Sequence, residues 1–149
     1  MHEHRIRVQS GLHVSKILAK MLGVKYGGYS CFLKVKVRKY NYVIYAQHGS
    51  SNAWYPHTKL TAAMRTARHT DADIYLYGHT HELLAIKTPY LTLDLRGRTV
   101  KTRDRWFVLT GSFLGYHGSY AERKNLYPTK SGVAKITLSG MKWDVHVST

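Results

Sequence analysis

The sequence predicts an α/β fold with a large mixed or antiparallel sheet component. Two stretches carry apolar residues at helical spacing, and short apolar or alternating runs typical of strands lie between and after them. The chain has 149 residues, of which 44% are hydrophobic and 21% are charged, as is usual for a globular domain. Because no repeat, low-complexity tract or Pro/Gly-rich linker divides the sequence, we expect a single domain over residues 1–149.

The first half of the chain predicts the order helix, two strands, helix, strand. Apolar residues between Val14 and Leu22 share one helical face, and Gly23 follows as a C-cap. Leu33–Val37 alternates apolar and basic residues, which predicts a strand with one buried face and one exposed basic face. Three patterns follow: the apolar run Tyr42–Ala46, a helix from Thr58 to His69 after Pro56, and the short buried strand Ile74–Tyr77.

The second half of the chain predicts mostly strands. Leu91, Leu93 and Leu95 alternate with polar residues, and Arg96-Gly97-Arg98 turns the chain back toward the strand Trp106–Thr110. The remaining predicted elements are a short helix over Tyr120–Asn125 and a hairpin that pairs Val133–Leu138 with Trp143–Val147 across Ser139-Gly140.

Cysteine content and hydropathy exclude several classes of protein. The single cysteine, Cys31, excludes an internal disulfide and a cysteine-based zinc ribbon. The polar start of the chain predicts no signal peptide, and the absence of a long apolar stretch predicts no transmembrane helix. We therefore expect a cytoplasmic protein with no membrane association.

The charge of the chain points to an anionic partner. Lys and Arg number 23 and Asp and Glu number 8, which gives a net charge of +15. Residues 1–39 carry nine basic and one acidic side chain, and residues 96–149 carry ten and three, whereas residues 40–95 carry four of each. Such a field attracts nucleic acid or phosphorylated substrates, although a basic surface that only confers solubility explains it equally well. The strand residues Lys34, Lys36 and Arg38 are the expected contact surface.

Histidines follow two of the predicted buried strands. His48 lies where one strand ends and Gly49 follows it, and His79 and His81 lie where the next strand ends, after Gly78. Ligand sites in open α/β sheets gather outside the carboxyl ends of strands, and neutral imidazole is a good ligand for zinc, iron, nickel and manganese. A single histidine at a strand end is more often a surface residue, so it is the combination that indicates a site.

These motifs resemble the calcineurin-like metallophosphoesterase family. The family signature runs D-x-H, G-D, G-N-H-D/E, a later His usually followed by Gly, and G-H-x-H. Here Gly78-His79-Thr80-His81 matches the last block, Gln47-His48-Gly49 matches the block before it, and Met1-His2-Glu3 matches the end of G-N-H-E. The resemblance implies the C-terminal portion of the family's two-sheet β-sandwich flanked by helices.

The resemblance also implies a metal-dependent phosphoesterase that hydrolyses phosphate mono- or diesters at two divalent metal ions, which could be Mn, Fe, Zn or Ni. By this resemblance, His48 and His79 bind the second metal and His81 binds the first, while His2 stabilises or protonates the leaving group. Arg5 lies close to His2 in the sequence and is a candidate phosphate contact, although a solvated arginine is an equally good interpretation.

The chain departs from the family signature in its first blocks. The D-x-H and G-D blocks and the G-N of G-N-H-E are absent from the sequence. In the family, these blocks supply most ligands of one metal and the carboxylate that bridges both. We therefore expect an N-terminally truncated metallophosphoesterase domain that is incomplete without an upstream segment, on this chain or on another.

Two other functions remain open from the sequence. Twelve tyrosines and three tryptophans lie among the 23 basic residues, a composition that suits single-stranded nucleic acid, although tyrosines are also common in strands. The chain would then be a basic nucleic-acid-binding module without catalysis. The third interpretation is a catalytically inactive remnant that docks on a partner chain.

Overall fold

A computed structural model of the chain describes residues 13–51, 53–94 and 97–149. Three α-helices and one turn of 3₁₀-helix (Thr66–Arg68) accompany eight strands in these residues. The helices are α1 (Val14–Met21), α2 (Pro56–Arg65) and α3 (Tyr120–Arg123). The strands are β1 (Ser30–Val37), β2 (Tyr40–Gln47), β3 (Ile74–Tyr77), β4 (Leu83–Asp94), β5 (Thr99–Ser112), β6 (Gly132–Val133), β7 (Lys135–Leu138) and β8 (Val145–Ser148).

The strands of the described residues form one mixed six-stranded sheet and one separate hairpin. The order in the sheet is β1-β2-β3-β5-β4, and the short strand β6 pairs with β5. The central strands β2, β3 and β5 are parallel, whereas β1 and β4 pair with their neighbours in the antiparallel sense. Strands β7 and β8 form the antiparallel hairpin. The expected mixed α/β fold with a dominant sheet is therefore observed.

Two layers cover the central strands from opposite sides. The hairpin buries Val145 and Val147 against Tyr42, Ile74 and Val108 of the sheet. On the other face, residues of α2 and the 3₁₀ turn pack over buried aromatic and apolar side chains of the same strands. These contacts form two smaller clusters, one around Ala63, Tyr77 and Leu109 and the other around Ala72, Tyr75 and Phe107.

Asp73 ties the three parallel strands together at their N-terminal end. Its backbone N–H donates to the Val43 carbonyl at 2.9 Å, and its own carbonyl accepts from the Trp106 N–H at 3.0 Å. The carboxylate also accepts a hydrogen bond from the Val43 N–H at 2.8 Å. Burial raises the pKa of the Asp73 carboxyl, and the Val43 hydrogen bond only partly offsets this effect. The residue holds β3 between β2 and β5.

The boundaries of several predicted elements differ from those observed. The second helix begins at Pro56 and its α-helical part ends at Arg65, after which the chain tightens into the 3₁₀ turn instead of continuing as α-helix to His69. The last strand begins at Val145, because Trp143 leaves the hairpin and stacks on the Tyr42 ring at 5.9 Å. The segment predicted over Val133–Leu138 divides into β6 and β7, which belong to different sheets.

Burial differs from expectation on the first helix and the first strand. Helix α1 is present, with Gly23 in the left-handed conformation after it, but only Ala19 is buried and Met21 is 78% exposed. In β1, Val35 and Val37 are half-buried between exposed lysines as predicted, whereas Leu33 is 47% exposed. Neither difference follows from local sequence, since burial requires another element to pack on these side chains.

Arg38 does not share the exposed strand face of Lys34 and Lys36. It lies in the turn between β1 and β2 with φ of 53°, and its Nη1 donates to the Met141 sulfur at 3.2 Å. Its side chain therefore covers the β7–β8 loop.

Within the described ranges, none of the helices combines the length and the apolar character needed to cross a membrane.

Candidate metal and ligand site

The carboxyl ends of three parallel strands meet at one edge of the sheet. Gln47 pairs with Tyr77 across β2 and β3, and Tyr77 pairs with Leu109 across β3 and β5. The loops that leave β2, β3 and β5 therefore start side by side. Strand β4 begins at the same edge, because Leu83 pairs with Thr110. This topology brings His48, the segment 79–82 and the segment after Ser112 to one place, as ligand sites in such sheets require.

The loop that carries His48 is fixed by Tyr77. The Tyr77 hydroxyl donates to the Ser50 carbonyl at 2.7 Å and accepts from the Ser50 N–H at 3.0 Å. Gly49 lies directly over this ring with φ of +75°, and a Cβ there would be 2.7 Å from the Tyr77 Cζ. The backbone N–H of His48 donates to the Tyr29 carbonyl at 2.9 Å. Only glycine, which has no Cβ, can lie this close to the Tyr77 ring, and this explains why a glycine follows His48.

The Gly-His-Thr-His segment forms a tight turn above the end of β3. The Gly78 N–H donates to the Gln47 carbonyl at 3.1 Å, and the Thr80 N–H donates to the Gly78 carbonyl at 2.8 Å. His79 and His81 both have positive φ, 69° and 56°. Left-handed backbone is uncommon for residues other than glycine, and it clusters at functional sites.

His48 and His79 meet through their ring nitrogens. His48 Nε2 lies 3.1 Å from His79 Nδ1, and the rings are nearly perpendicular with centroids 5.0 Å apart. Two nitrogens that each lie about 2.0–2.1 Å from one zinc ion, at an angle of about 95–110°, are about 3.0–3.4 Å apart. The separation of the two nitrogens therefore lies in the range that one shared zinc ion requires. In the absence of metal, the same distance suits a hydrogen bond whose direction depends on the tautomers.

The third predicted ligand, His81, is half-buried and lines a cavity together with His79. Across the part of the chain that the structure describes, no group of three or more His, Cys, Asp and Glu side chains is arranged to hold a metal ion. The geometry therefore supplies a pair of imidazoles and a neighbouring third histidine. His2 and Arg5, the predicted proton donor and phosphate contact, lie outside the described residues.

The cavity beside the histidines has a volume of about 280 Å³. Its charged member is Lys59, whose Nζ donates to Glu82 Oε2 at 3.0 Å while both side chains are largely buried. Aromatic and hydroxyl side chains form most of the remaining wall. They are Ser51, Trp54, Thr80, Tyr116, Tyr120, Tyr127 and Thr129.

Sequence reasoning did not assign these wall residues to the site. Lys59 shares a helical face with the buried Ala63 and Thr66, which is the signal that would have placed it inward. Tyr116 lies in the loop after the Trp106–Thr110 strand, a place from which the sequence allows it to line the cleft but offers no test. Its contribution depends on β5 lying next to β3, which the order of residues along the chain does not reveal.

Comparisons of the chain with models of protein families, with curated proteins and with solved structures gave no match.

Proposed function

We propose that this chain forms part of a metal-dependent phosphoesterase of the calcineurin-like type, in which His48 and His79 bind one divalent metal ion. The observation that carries the proposal is the 3.1 Å separation of His48 Nε2 and His79 Nδ1. The His48 N–H and the N–H groups of Gly78 and Thr80, which flank His79, all donate to backbone carbonyls, so the backbone of both loops is fixed. The order of His48, Gly78, His79 and His81 along the chain matches the last two blocks of the family signature.

The residues of this chain have distinct tasks in the proposed reaction. A divalent ion at such a site polarises a phosphoryl oxygen and lowers the pKa of a bound water. His48 and His79 would hold that ion through His48 Nε2 and His79 Nδ1. His81 projects from the same turn as His79, where the resemblance places a ligand of a second ion. His2 remains the predicted donor of a proton to the leaving oxygen.

The proposal includes a partner segment that supplies carboxylate ligands. Two imidazoles leave coordination positions open on an ion that takes four or more ligands, and Mn²⁺ in particular prefers oxygen ligands. Helix α1 and strand β1 offer apolar side chains on which such a segment can pack. Leu18, Met21, Leu22, Phe32 and Leu33 are all exposed by about half or more, and β1 is an edge strand of the sheet.

Metal titration tests the histidine pair directly. We expect calorimetry with Zn²⁺ to detect binding that His48→Ala and His79→Ala each weaken at least about 10-fold, because each removes a ligand. His69→Ala and His146→Ala serve as matched controls, since these histidines are exposed and lie elsewhere. Equal affinity of all four variants, or no binding by the unsubstituted chain, would contradict the proposal.

An activity measurement separates the proposed partner segment from the metal site itself. We expect the 149-residue chain alone to hydrolyse a phosphodiester reporter poorly in the presence of Mn²⁺, and a carboxylate-bearing partner segment to raise the rate. Rapid Mn²⁺-dependent hydrolysis by the chain alone would show that the described residues and the rest of this sequence suffice. That result would contradict the proposed need for a partner segment, but it would not contradict metal binding by His48 and His79.

A further inference from the structure

The cavity next to the histidine pair has exposed aromatic walls. Trp54 and Tyr127 meet edge to face, with centroids 6.2 Å apart and planes at 85°, and both side chains are more than half exposed. Tyr116 and Tyr120 lie on the same cavity. Two rings at a right angle form a corner, and the exposure of both side chains leaves ring surface on which a planar group can stack. Stacking a flat ring there removes apolar surface from water.

The cavity also presents hydrogen-bonding groups to its contents. Thr80 is 8% exposed and lines the cavity, and its hydroxyl oxygen is buried with no hydrogen-bond partner among the described residues. A buried hydroxyl without a partner costs about 1–3 kcal/mol. A polar ligand in the cavity would recover that hydrogen bond if the Thr80 side chain rotated about χ1 to turn its hydroxyl toward the ligand. Ser51 and Thr129 add two further hydroxyl groups.

The size of the cavity selects a small ring system. Its volume of about 280 Å³ is slightly below the range of about 300–1,000 Å³ that is typical of ligand pockets. One heterocycle fits such a space, whereas a string of stacked bases does not. The proposed metal site beside the cavity favours a ligand that carries phosphate, whereas the net charge of +15 comes from residues 1–39 and 96–149. A ligand with a planar ring, polar groups on the edge of that ring and a phosphate is a nucleotide.

We propose that this cavity binds the base of a nucleoside phosphate, with the base against Trp54 and the phosphate directed toward His48 and His79. The placement of the phosphate rests on the proposed function, whereas binding of the base does not require metal. The cavity would thereby select phosphate esters that contain a nucleoside, whether or not the nucleoside is the group released by hydrolysis. Lys59 lines the same cavity, where its ion pair with Glu82 cancels its charge, so it adds no net positive charge along the path of the phosphate.

Binding measured without metal tests this proposal. The four common ribonucleoside 5′-monophosphates are titrated into the protein in EDTA, with ribose 5-phosphate as the matched probe that lacks a base. We expect at least one nucleotide to bind about 5- to 150-fold more tightly than ribose 5-phosphate, which is the usual contribution of stacking one base on an aromatic side chain. Equal affinity for all five compounds would overturn the proposal.

Two pairs of variants locate the binding site. Trp54→Leu should abolish the preference for the nucleotide, whereas Tyr55→Leu should retain it, because Tyr55 is equally exposed but does not line the cavity. Thr80→Val should weaken nucleotide binding about 2- to 12-fold by removing one hydrogen bond, and Thr80→Ser should restore it. Loss of binding in Tyr55→Leu as well, or no effect of Trp54→Leu, would contradict the assignment.

A last pair of measurements keeps this proposal distinct from the proposed function. Phenyl phosphate binding as tightly as the nucleotides would indicate an aryl pocket without base recognition, which contradicts a nucleobase site. Failure of all nucleotide binding while His48 and His79 still bind Zn²⁺ would overturn the base site and leave the metal site intact. Nucleotide binding that persists in a chain unable to bind Zn²⁺ would support the base site and contradict the metal site.

Discussion

Gly49 shows how one residue shapes the candidate site. It follows His48, adopts φ of +75° and lies against the Tyr77 ring, whose hydroxyl holds Ser50. Any other residue at this position would have to adopt an unfavourable left-handed backbone conformation, and its Cβ would collide with the Tyr77 ring. The position of the loop that carries His48 therefore depends on the close packing of Gly49 against Tyr77 at the end of β3, although Gly49 has no functional side chain.

We expect Gly49→Ala to lower the free energy of unfolding by about 2–5 kcal/mol, the combined cost of left-handed backbone and overpacking. The variant should also weaken Zn²⁺ binding, because the displaced Tyr77 ring moves the loop that carries His48. Urea denaturation and calorimetry measure the two effects. Gly115→Ala is the control, since a Cβ there would meet no atom of the described residues within 4 Å. Similar losses in both variants would refute the steric argument.

The β7–β8 hairpin is the element that closes one side of the core. Tyr42 reaches from β2 into the loop of the hairpin, where its hydroxyl donates to the Ser139 carbonyl at 2.6 Å and accepts from the Asp144 N–H at 3.2 Å. Trp106 Nε1 donates to the Val145 carbonyl at 3.1 Å. These polar contacts orient an element whose valines provide the apolar burial.

We expect Tyr42→Phe to lower the free energy of unfolding by about 1–3 kcal/mol, because it leaves the partly buried Ser139 carbonyl and Asp144 N–H without the hydroxyl. The ring and its packing against Trp143 remain, so the urea midpoint should fall with an unchanged m value. Tyr40→Phe is the matched control, since its hydroxyl bonds to Met141 at an exposed position. That substitution should change stability by no more than about 0.5 kcal/mol. Equal effects of the two substitutions would show that the hairpin does not depend on Tyr42.

The net charge of +15 is a property of the whole molecule, and its use depends on where the charges lie. Lys34 and Lys36 project from the exposed face of the edge strand β1, whereas Arg38 turns onto the hairpin loop. A polyanion that lies along β1 would contact the two lysines but not the arginine. The basic strand face therefore consists of two charges and not the three that alternation along the sequence suggested.

We expect the double substitution Lys34→Gln with Lys36→Gln to reduce the salt slope for single-stranded DNA by about 1.4, since each lost phosphate contact contributes about 0.7. Fluorescence anisotropy at several salt concentrations gives the slope. The control, Lys20→Gln with Lys135→Gln, removes the same charge from two other exposed positions. An unchanged slope would mean that β1 is not a binding face and that its charge serves solubility. The same reduction in the control would mean that binding depends on the overall charge and not on the β1 face.

Local patterns in the sequence determined where most elements form. The strand Ile74–Tyr77 was predicted with its observed bounds, because a run of four apolar residues between Asp73 and Gly78 is recognised without knowledge of a distant partner. The histidines at the ends of β2 and β3 were recognised for the same reason. Their convergence was expected from the rule that strand ends gather at one edge, and the contact of His48 with His79 agrees with that expectation.

Only the tertiary structure decided which loops share a cavity and which apolar faces are buried. Tyr116 and Trp54 belong to one cavity because β5 lies beside β3 and α2 packs on the sheet, and both are long-range contacts. The amphipathic helix α1 predicted a buried face, yet Met21 and Leu22 are exposed. A periodic pattern specifies which side chains share a face of an element. Burial of that face depends on the surface that another element presents to it, and this information lies elsewhere in the chain or in a partner.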